Sequence, residues 1–156
     1  MQWIGSNGFL MMYRDFRTVW LSGRFGSGKT ATALALSSWL TGNAYSSIVC
    51  ANIPIYGAEF PPPIPLTDAA LIIDEAHLYL DAWRDVRRYT AFLRKVNLRL
   101  AMPSIYPPHA RLRMLELQRI YNWYNMSIPM WQYKWRVNAG MFSESGWAFL
   151  WKPHEI

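Results

Sequence analysis

Gly23-Arg-Phe-Gly-Ser-Gly-Lys-Thr30 is the stretch that decides the fold of this chain. It matches the pattern G-x-x-x-x-G-K-[ST], in which backbone N–H groups of a glycine-rich loop surround phosphate oxygens. Lys29 is placed to reach the β- and γ-phosphates of a nucleotide, and the Thr30 hydroxyl is a hard oxygen ligand for Mg²⁺. The residues predicted to bind the nucleotide in this loop are Gly23, Gly26, Ser27, Gly28, Lys29 and Thr30.

Apolar runs around the loop predict alternating strands and helices. Strands are predicted over residues 17–22, 47–51, 69–74 and 97–102, and helices over 30–40, 77–96 and 110–125. Two further short strands, over 131–137 and 146–151, predict a C-terminal β-hairpin. This order favours an α/β fold, a three-layer P-loop NTPase with a mostly parallel central sheet.

Two adjacent carboxylates, Asp74 and Glu75, end the apolar run Leu71-Ile-Ile. Asp74 is predicted to hold Mg²⁺, and Glu75 to orient and polarise the attacking water. For Glu75 the alternative is a carboxylate that stabilises a helix N-terminus. Because the pair follows a complete phosphate loop, we expect the protein to hydrolyse ATP.

Length and composition predict one folded domain. The chain has 156 residues, of which 52% are hydrophobic and 17% charged, so disorder is excluded. We expect an ATPase core over about residues 17–120 and an aromatic-rich extension over 121–156. The single cysteine, Cys50, rules out an internal disulfide and fits a reducing compartment. With no targeting signal or membrane span expected, a cytoplasmic location follows, in a host cell or with the virion if the protein is viral.

The positive charge is concentrated in one segment. Residues 84–119 hold nine basic and two acidic residues, whereas residues 1–83 hold four basic and six acidic ones. Arginine suits bidentate phosphate contacts, so the segment favours a surface for nucleic acid or for a neighbouring subunit. A solvated helix face is the alternative.

These motifs resemble the FtsK/HerA-type ATPases, which are P-loop ATPases of the additional-strand (ASCE) class. Within this family the motifs resemble those of viral genome-packaging ATPases and Zot-like phage assembly ATPases. The resemblance covers about residues 17–120 and includes the two motifs above and Ala51-Asn-Ile-Pro-Ile55. The resemblance implies a RecA/FtsK-HerA-like fold, ATP and Mg²⁺ as cofactors, and a ring of five or six subunits that moves double-stranded DNA. Virion or portal components are implied as further partners.

The resemblance also implies two kinds of residue outside these motifs. A polar side chain at the tip of the fourth strand contacts the γ-phosphate in such ATPases, and Ser104 is the nearest match here. An arginine from the neighbouring subunit completes the catalytic site, a role that Arg111 and Arg113 match best. The rival candidates are Arg87, Arg88 and Arg94, and for each arginine a surface salt bridge or a phosphate contact is an equal alternative.

The sequence therefore predicts a Mg²⁺-dependent ATP hydrolase that works as an oligomeric DNA translocase and packages a viral genome. Two alternatives remain open. One is an ATP-controlled DNA-binding regulator, and the other is a nucleotide-locked assembly subunit that does not translocate DNA.

Overall fold

The computed structural model describes residues 1–79, 92–107, 115–139 and 142–152. Its strands are β1 (Gln2–Ile4), β2 (Thr18–Ser22), β3 (Ile48–Ala51), β4 (Ala69–Ile72), β5 (Leu98–Ser104), β6 (Leu115–Asn122), β7 (Met130–Ala139) and β8 (Phe142–Trp151). Its α-helices are α1 (Asn7–Phe16), α2 (Lys29–Gly42) and α3 (Ala76–Tyr79), with a 3₁₀ turn over Trp123–Met126 and a helical stretch over residues 92–95.

All eight strands belong to one mixed sheet, in the order β1-β8-β7-β6-β2-β5-β4-β3. Neighbouring strands from β3 to β6 are parallel, whereas β6, β7, β8 and β1 pair antiparallel. Helices are few in the described ranges, and strands dominate. The prediction of a three-layer α/β P-loop NTPase fold, RecA/FtsK-HerA-like and built on a mostly parallel sheet, is therefore wrong.

The correction begins at β6, which lies within the segment predicted to be a helix over 110–125. Leu115, Glu116 and Leu117 are all buried and Gln118 is exposed, so the start of β6 is covered on both faces, as in a strand inside a sheet. β6 pairs in parallel with β2 on one side and antiparallel with β7 on the other. From β6 onward the sheet grows by antiparallel pairing, which needs no crossover helices.

The elements around the phosphate loop lie close to their predicted positions. β2, β3, β4 and β5 overlap the four strands expected before residue 105, and α2 covers the predicted helix over 30–40. The helix predicted over 77–96 is helical at 77–79 and 92–95, and residues 80–91 lie outside the described part. Neither β1 nor α1 was predicted.

The main core lies between α1, α2 and one face of the sheet. From α2 it contains Leu36 and Leu40, and from the sheet Leu21 and Leu117. The aromatic-rich extension also contributes, through Trp131, Tyr133 and Trp135, which are at most 8% exposed. These three aromatic side chains of β7 therefore pack in the same core as the phosphate-loop helix α2.

The edge of the sheet at β3 is partly covered by the proline-rich loop. The Glu59 carbonyl accepts a hydrogen bond from Ala51 N–H (3.0 Å), and Glu59 N–H donates to the Val49 carbonyl (2.9 Å). The opposite edge is formed by β1, which has three residues. β1 pairs only with Phe149, Leu150 and Trp151, so the rest of β8 has no partner strand on that side among the described residues.

Candidate functional site

The phosphate loop connects the end of β2 to the start of α2, at the edge where the parallel strands end. Gly26 and Gly28 adopt positive φ angles of 74° and 81°, which L side chains rarely adopt. The Gly28 carbonyl accepts a hydrogen bond from Thr32 N–H at 2.9 Å, which starts the helix directly after the loop. The loop therefore has the glycine-dependent backbone that the motif predicts, followed by a helix N-terminus that favours anions.

Lys29 is the residue of this loop whose ammonium is predicted to contact the β- and γ-phosphates. Its Nζ donates hydrogen bonds to the carbonyls of Gly23 (3.0 Å) and Arg24 (2.7 Å), so the ammonium is held over the loop. Burial lowers the pKa of Lys29, and the nearby charges of Asp74 and Glu75 partly oppose this change. Because the Lys29 ammonium is partly desolvated and held only by neutral carbonyls, an anionic phosphate close to it would stabilise its charge.

Thr30 and Asp74, the two predicted Mg²⁺ ligands, lie together. Thr30 Oγ1 donates a hydrogen bond to Asp74 Oδ1 at 3.2 Å. Asn52 fixes the backbone of Asp74, because its Oδ1 accepts from Asp74 N–H (2.8 Å) and its Nδ2 donates to the Asp74 carbonyl (3.2 Å). Sequence reasoning did not assign Asn52 a role, although it lies in the quoted segment after β3.

The Thr30–Asp74 pair fits Mg²⁺ in chemistry and spacing. Both donors are hard oxygens, and adjacent ligands of an octahedral ion with bonds of 2.0–2.1 Å stand about 3 Å apart. Within the described ranges no three His, Cys, Asp or Glu side chains form a metal-binding group. A Mg²⁺ ion at this pair would complete its coordination with phosphate oxygens and water, the arrangement usual for this ion.

Glu75 has an unusual backbone. Its φ angle is +53°, a left-handed conformation that costs a non-glycine residue about 1–3 kcal/mol. Its side chain is 41% exposed, and Oε2 lies 3.6 Å from His77 Nε2. In this conformation the Glu75 carboxylate lies next to His77.

His77 connects Glu75 to the end of β5. His77 Nδ1 and Ser104 Oγ form a hydrogen bond of 3.0 Å, and the same Oγ accepts from Tyr106 N–H at 3.1 Å. Ser104 is 1% exposed, so its hydroxyl is engaged within the protein, and contact with a γ-phosphate stays a prediction. Sequence reasoning assigned no role to His77, although its spacing of two residues from Glu75 was visible.

On the other side of the loop, the ring of Trp131 packs against Gly28. A Cβ at Gly28 would lie 2.4 Å from Trp131 Cη2, so only glycine fits beneath this ring. Lys152 Nζ lies 4.2 Å and Arg119 Cζ 5.2 Å from the centre of the Trp131 ring. None of these three residues was predicted to belong to the site, because their position depends on the pairing of β6, β7 and β8.

Most of the candidate arginines cannot be placed. Arg87, Arg88, Arg111 and Arg113 lie outside the described residues, and Arg94 is exposed. Their role in a neighbouring subunit's site stays a prediction.

Comparison with protein-family models finds no match for this sequence, and no curated protein matches it. None of the described helices is long and apolar enough to cross a membrane.

Proposed function

We propose that this protein is a Mg²⁺-dependent ATP hydrolase. The observation that carries the proposal is the 3.2 Å contact between Thr30 Oγ1 and Asp74 Oδ1, next to the ammonium of Lys29. These groups come from two elements, α2 and the segment after β4, and meet beside a glycine-rich loop. A hydroxyl, a carboxylate and an ammonium in this arrangement suit the triphosphate of a nucleotide bound with Mg²⁺.

In this proposal each group of residues in the site has its own role. The loop N–H groups and Lys29 bind the phosphates and stabilise the negative charge that shifts toward the leaving oxygen. Thr30 and Asp74 hold Mg²⁺, which when bound neutralises charge on the β- and γ-phosphate oxygens. Glu75 orients a water in line with the γ-phosphorus and accepts its proton as the new P–O bond forms and the bond to ADP breaks.

Replacing Glu75 by glutamine tests the assignment. Glu75→Gln keeps the size of the side chain but removes its basicity, so we expect phosphate release to fall roughly 100-fold or more while ATP still binds. Glu144→Gln, on the exposed face of β8, is the matched control and should hydrolyse ATP like the wild type. If Glu75→Gln hydrolyses ATP at the wild-type rate, the catalytic assignment fails.

We further propose that hydrolysis drives an oligomer of this chain along double-stranded DNA, in the packaging of a viral genome. The support comes from the resemblance of the motifs and from the excess of basic residues over 84–119. It does not come from the fold class, which differs from the expected one.

Duplex DNA separates the translocase from the two alternatives. A translocase should hydrolyse ATP faster with duplex DNA, displace a protein roadblock from that DNA, and form closed rings around it in electron micrographs. A regulator should bind DNA without displacing the roadblock. Turnover that is negligible and unchanged by DNA would favour the assembly subunit instead.

A further inference from the structure

The two sides of the phosphate loop differ in chemistry. Toward β5 and β4 lie Thr30, Asp74 and Glu75, which are the residues suited to the metal and the γ-phosphate. A Mg²⁺ ion held by Thr30 and Asp74 would neutralise charge at the reacting end of a bound nucleotide, so that end belongs on this side of the loop. The α-phosphate and the nucleoside would then lie toward the other side of the loop, where β6 and β7 lie.

On that side the chain brings together two cations and an aromatic ring. Arg119 follows Gln118, the β6 partner of Ser22 at the end of β2, so it stands beside the start of the phosphate loop. It shares the face of Leu117 because side chains alternate along a strand. Arg119, Lys29 and Ser27 line one small cavity, which places the arginine next to the predicted phosphate ligands.

Lys152, which follows β8, contacts the same Trp131 ring as Arg119. Its backbone is fixed on both sides, because its N–H donates to the Pro129 carbonyl at 2.7 Å and its carbonyl accepts a hydrogen bond from the Tyr124 hydroxyl. The ammonium lies 4.2 Å from the centre of the Trp131 ring, which is itself only 7% exposed. Contact with the ring stabilises each cation in place but does not neutralise its charge.

Several polar groups at this side lack a partner. Within the part of the chain that the structure describes, neither Arg119 nor the Lys152 ammonium pairs with a carboxylate. The buried atoms Ser27 Oγ and Trp131 Nε1 also have no hydrogen-bond partner among these residues. Buried polar atoms are normally satisfied, so two unsatisfied ones beside a phosphate loop, together with two half-exposed cations that lack a carboxylate, favour a polar ligand at this side.

We propose that Arg119 and Lys152 form a cationic subsite that binds the α-phosphate of a nucleotide in the same chain. This inference rests on the proposed function and deepens it. It makes the antiparallel half of the sheet part of the nucleotide site, with Trp131 as the support that positions both cations. The guanidinium of Arg119 would make the more directional contact, since its fork geometry matches phosphate oxygens.

The test compares ligands that do and do not fill the α position. ADP fills the α and β positions, whereas pyrophosphate fills only the β and γ positions. Both are measured with Mg²⁺ on the full chain by displacement of a fluorescent ADP analogue. We expect Arg119→Ala and Lys152→Ala each to weaken ADP binding roughly tenfold, the value of one charge-assisted hydrogen bond, and to change pyrophosphate binding less than about twofold.

Lys134→Ala is the matched control. Lys134 also lies over a tryptophan ring, with its Nζ 5.9 Å from the centre of Trp147, but on the opposite face of β7 from Trp131. It should leave both ligands unaffected, and Arg119→Lys should recover part of the ADP affinity that Arg119→Ala loses.

The outcomes distinguish this inference from the proposed function. If both alanine variants bind ADP like the wild type, or lose ADP and pyrophosphate equally, the subsite is refuted while nucleotide binding stands. If the wild-type protein binds neither ligand, the proposed function fails and the subsite fails with it.

Discussion

Gly28 gives the sharpest test of how the phosphate loop is packed. Two independent costs oppose any larger residue at this position. Its φ angle of +81° costs an L residue about 1–2 kcal/mol, and a Cβ there would lie 2.4 Å from Trp131 Cη2. Because overpacking of this kind typically costs about 1–3 kcal/mol, Gly28→Ala should lower the free energy of unfolding by about 2–5 kcal/mol.

Gly26 and Trp131 allow the two costs to be separated. Gly26 has a φ angle of +74°, but a Cβ at this position would meet nothing within 4 Å, so Gly26→Ala should cost only the backbone part, about 1–2 kcal/mol. In a Trp131→Leu background the ring is gone, and Gly28→Ala should then cost no more than Gly26→Ala. The difference between backgrounds, about 1–3 kcal/mol, is the coupling energy of the contact.

Urea denaturation followed by far-ultraviolet circular dichroism measures these free energies without relying on tryptophan emission. Trp131→Leu will itself destabilise the protein, but that loss cancels because Gly28→Ala is compared within one background. The reasoning is refuted if Gly28→Ala costs the same as Gly26→Ala, or if Trp131→Leu leaves its cost unchanged.

Three further predictions follow from other contacts. Burial raises the pKa of the Cys50 thiol from 9.0 to about 11, so the unfolded chain ionises first as pH rises. The free energy of unfolding, measured by urea titration, should then fall by about 2–3 kcal/mol between pH 9 and pH 11 because of this thiol. In Cys50→Ala this contribution to the fall should be absent. Thr32 Oγ1 and the Tyr133 hydroxyl are 2.7 Å apart and buried. A double-mutant cycle of Thr32→Val and Tyr133→Phe should therefore show a coupling of about 1 kcal/mol in the free energy of unfolding. If the two losses of stability simply add, this hydrogen bond is disproved. His77→Ala should release the Glu75 carboxylate and lower kcat for ATP hydrolysis roughly tenfold, with KM nearly unchanged. His77→Asn keeps a polar atom near the Nδ1 position and should retain more activity. An equal loss of kcat in both variants would refute a positioning role.

Local patterns were enough to predict the first half of the sheet. Long apolar runs such as Leu71-Ile-Ile indicate buried strands wherever they occur, and four strands and α2 lie close to their predicted positions. In the second half, β7 and β8 overlap the two strands predicted as a C-terminal hairpin and pair antiparallel, but β6 was missed for a physical reason. A strand and a helix can share residues such as Leu115 and Leu117, and only the pairing of β6 with β2 and β7 determines which one forms.

In the candidate site, too, some residues are predictable from local motifs and others are not. Lys29, Thr30 and Asp74 follow from spacing within motifs, because a loop and a strand end bring them to one edge of the sheet. Trp131 lies about one hundred residues after Gly28 in the chain, and no local pattern indicates that its ring packs against that glycine. Contacts of this kind depend on strand order, which composition and periodicity do not encode.

The edges of the sheet limit how copies of this chain can associate. At the β3 edge, backbone groups of Val49 and Ala51 already bond to Glu59. At the opposite edge β1 pairs only with Phe149, Leu150 and Trp151, so most of the ten residues of β8 have no partner strand on that side among the described residues. A strand from another molecule would therefore find unpaired backbone groups along β8, where it would extend the sheet from one copy into the next.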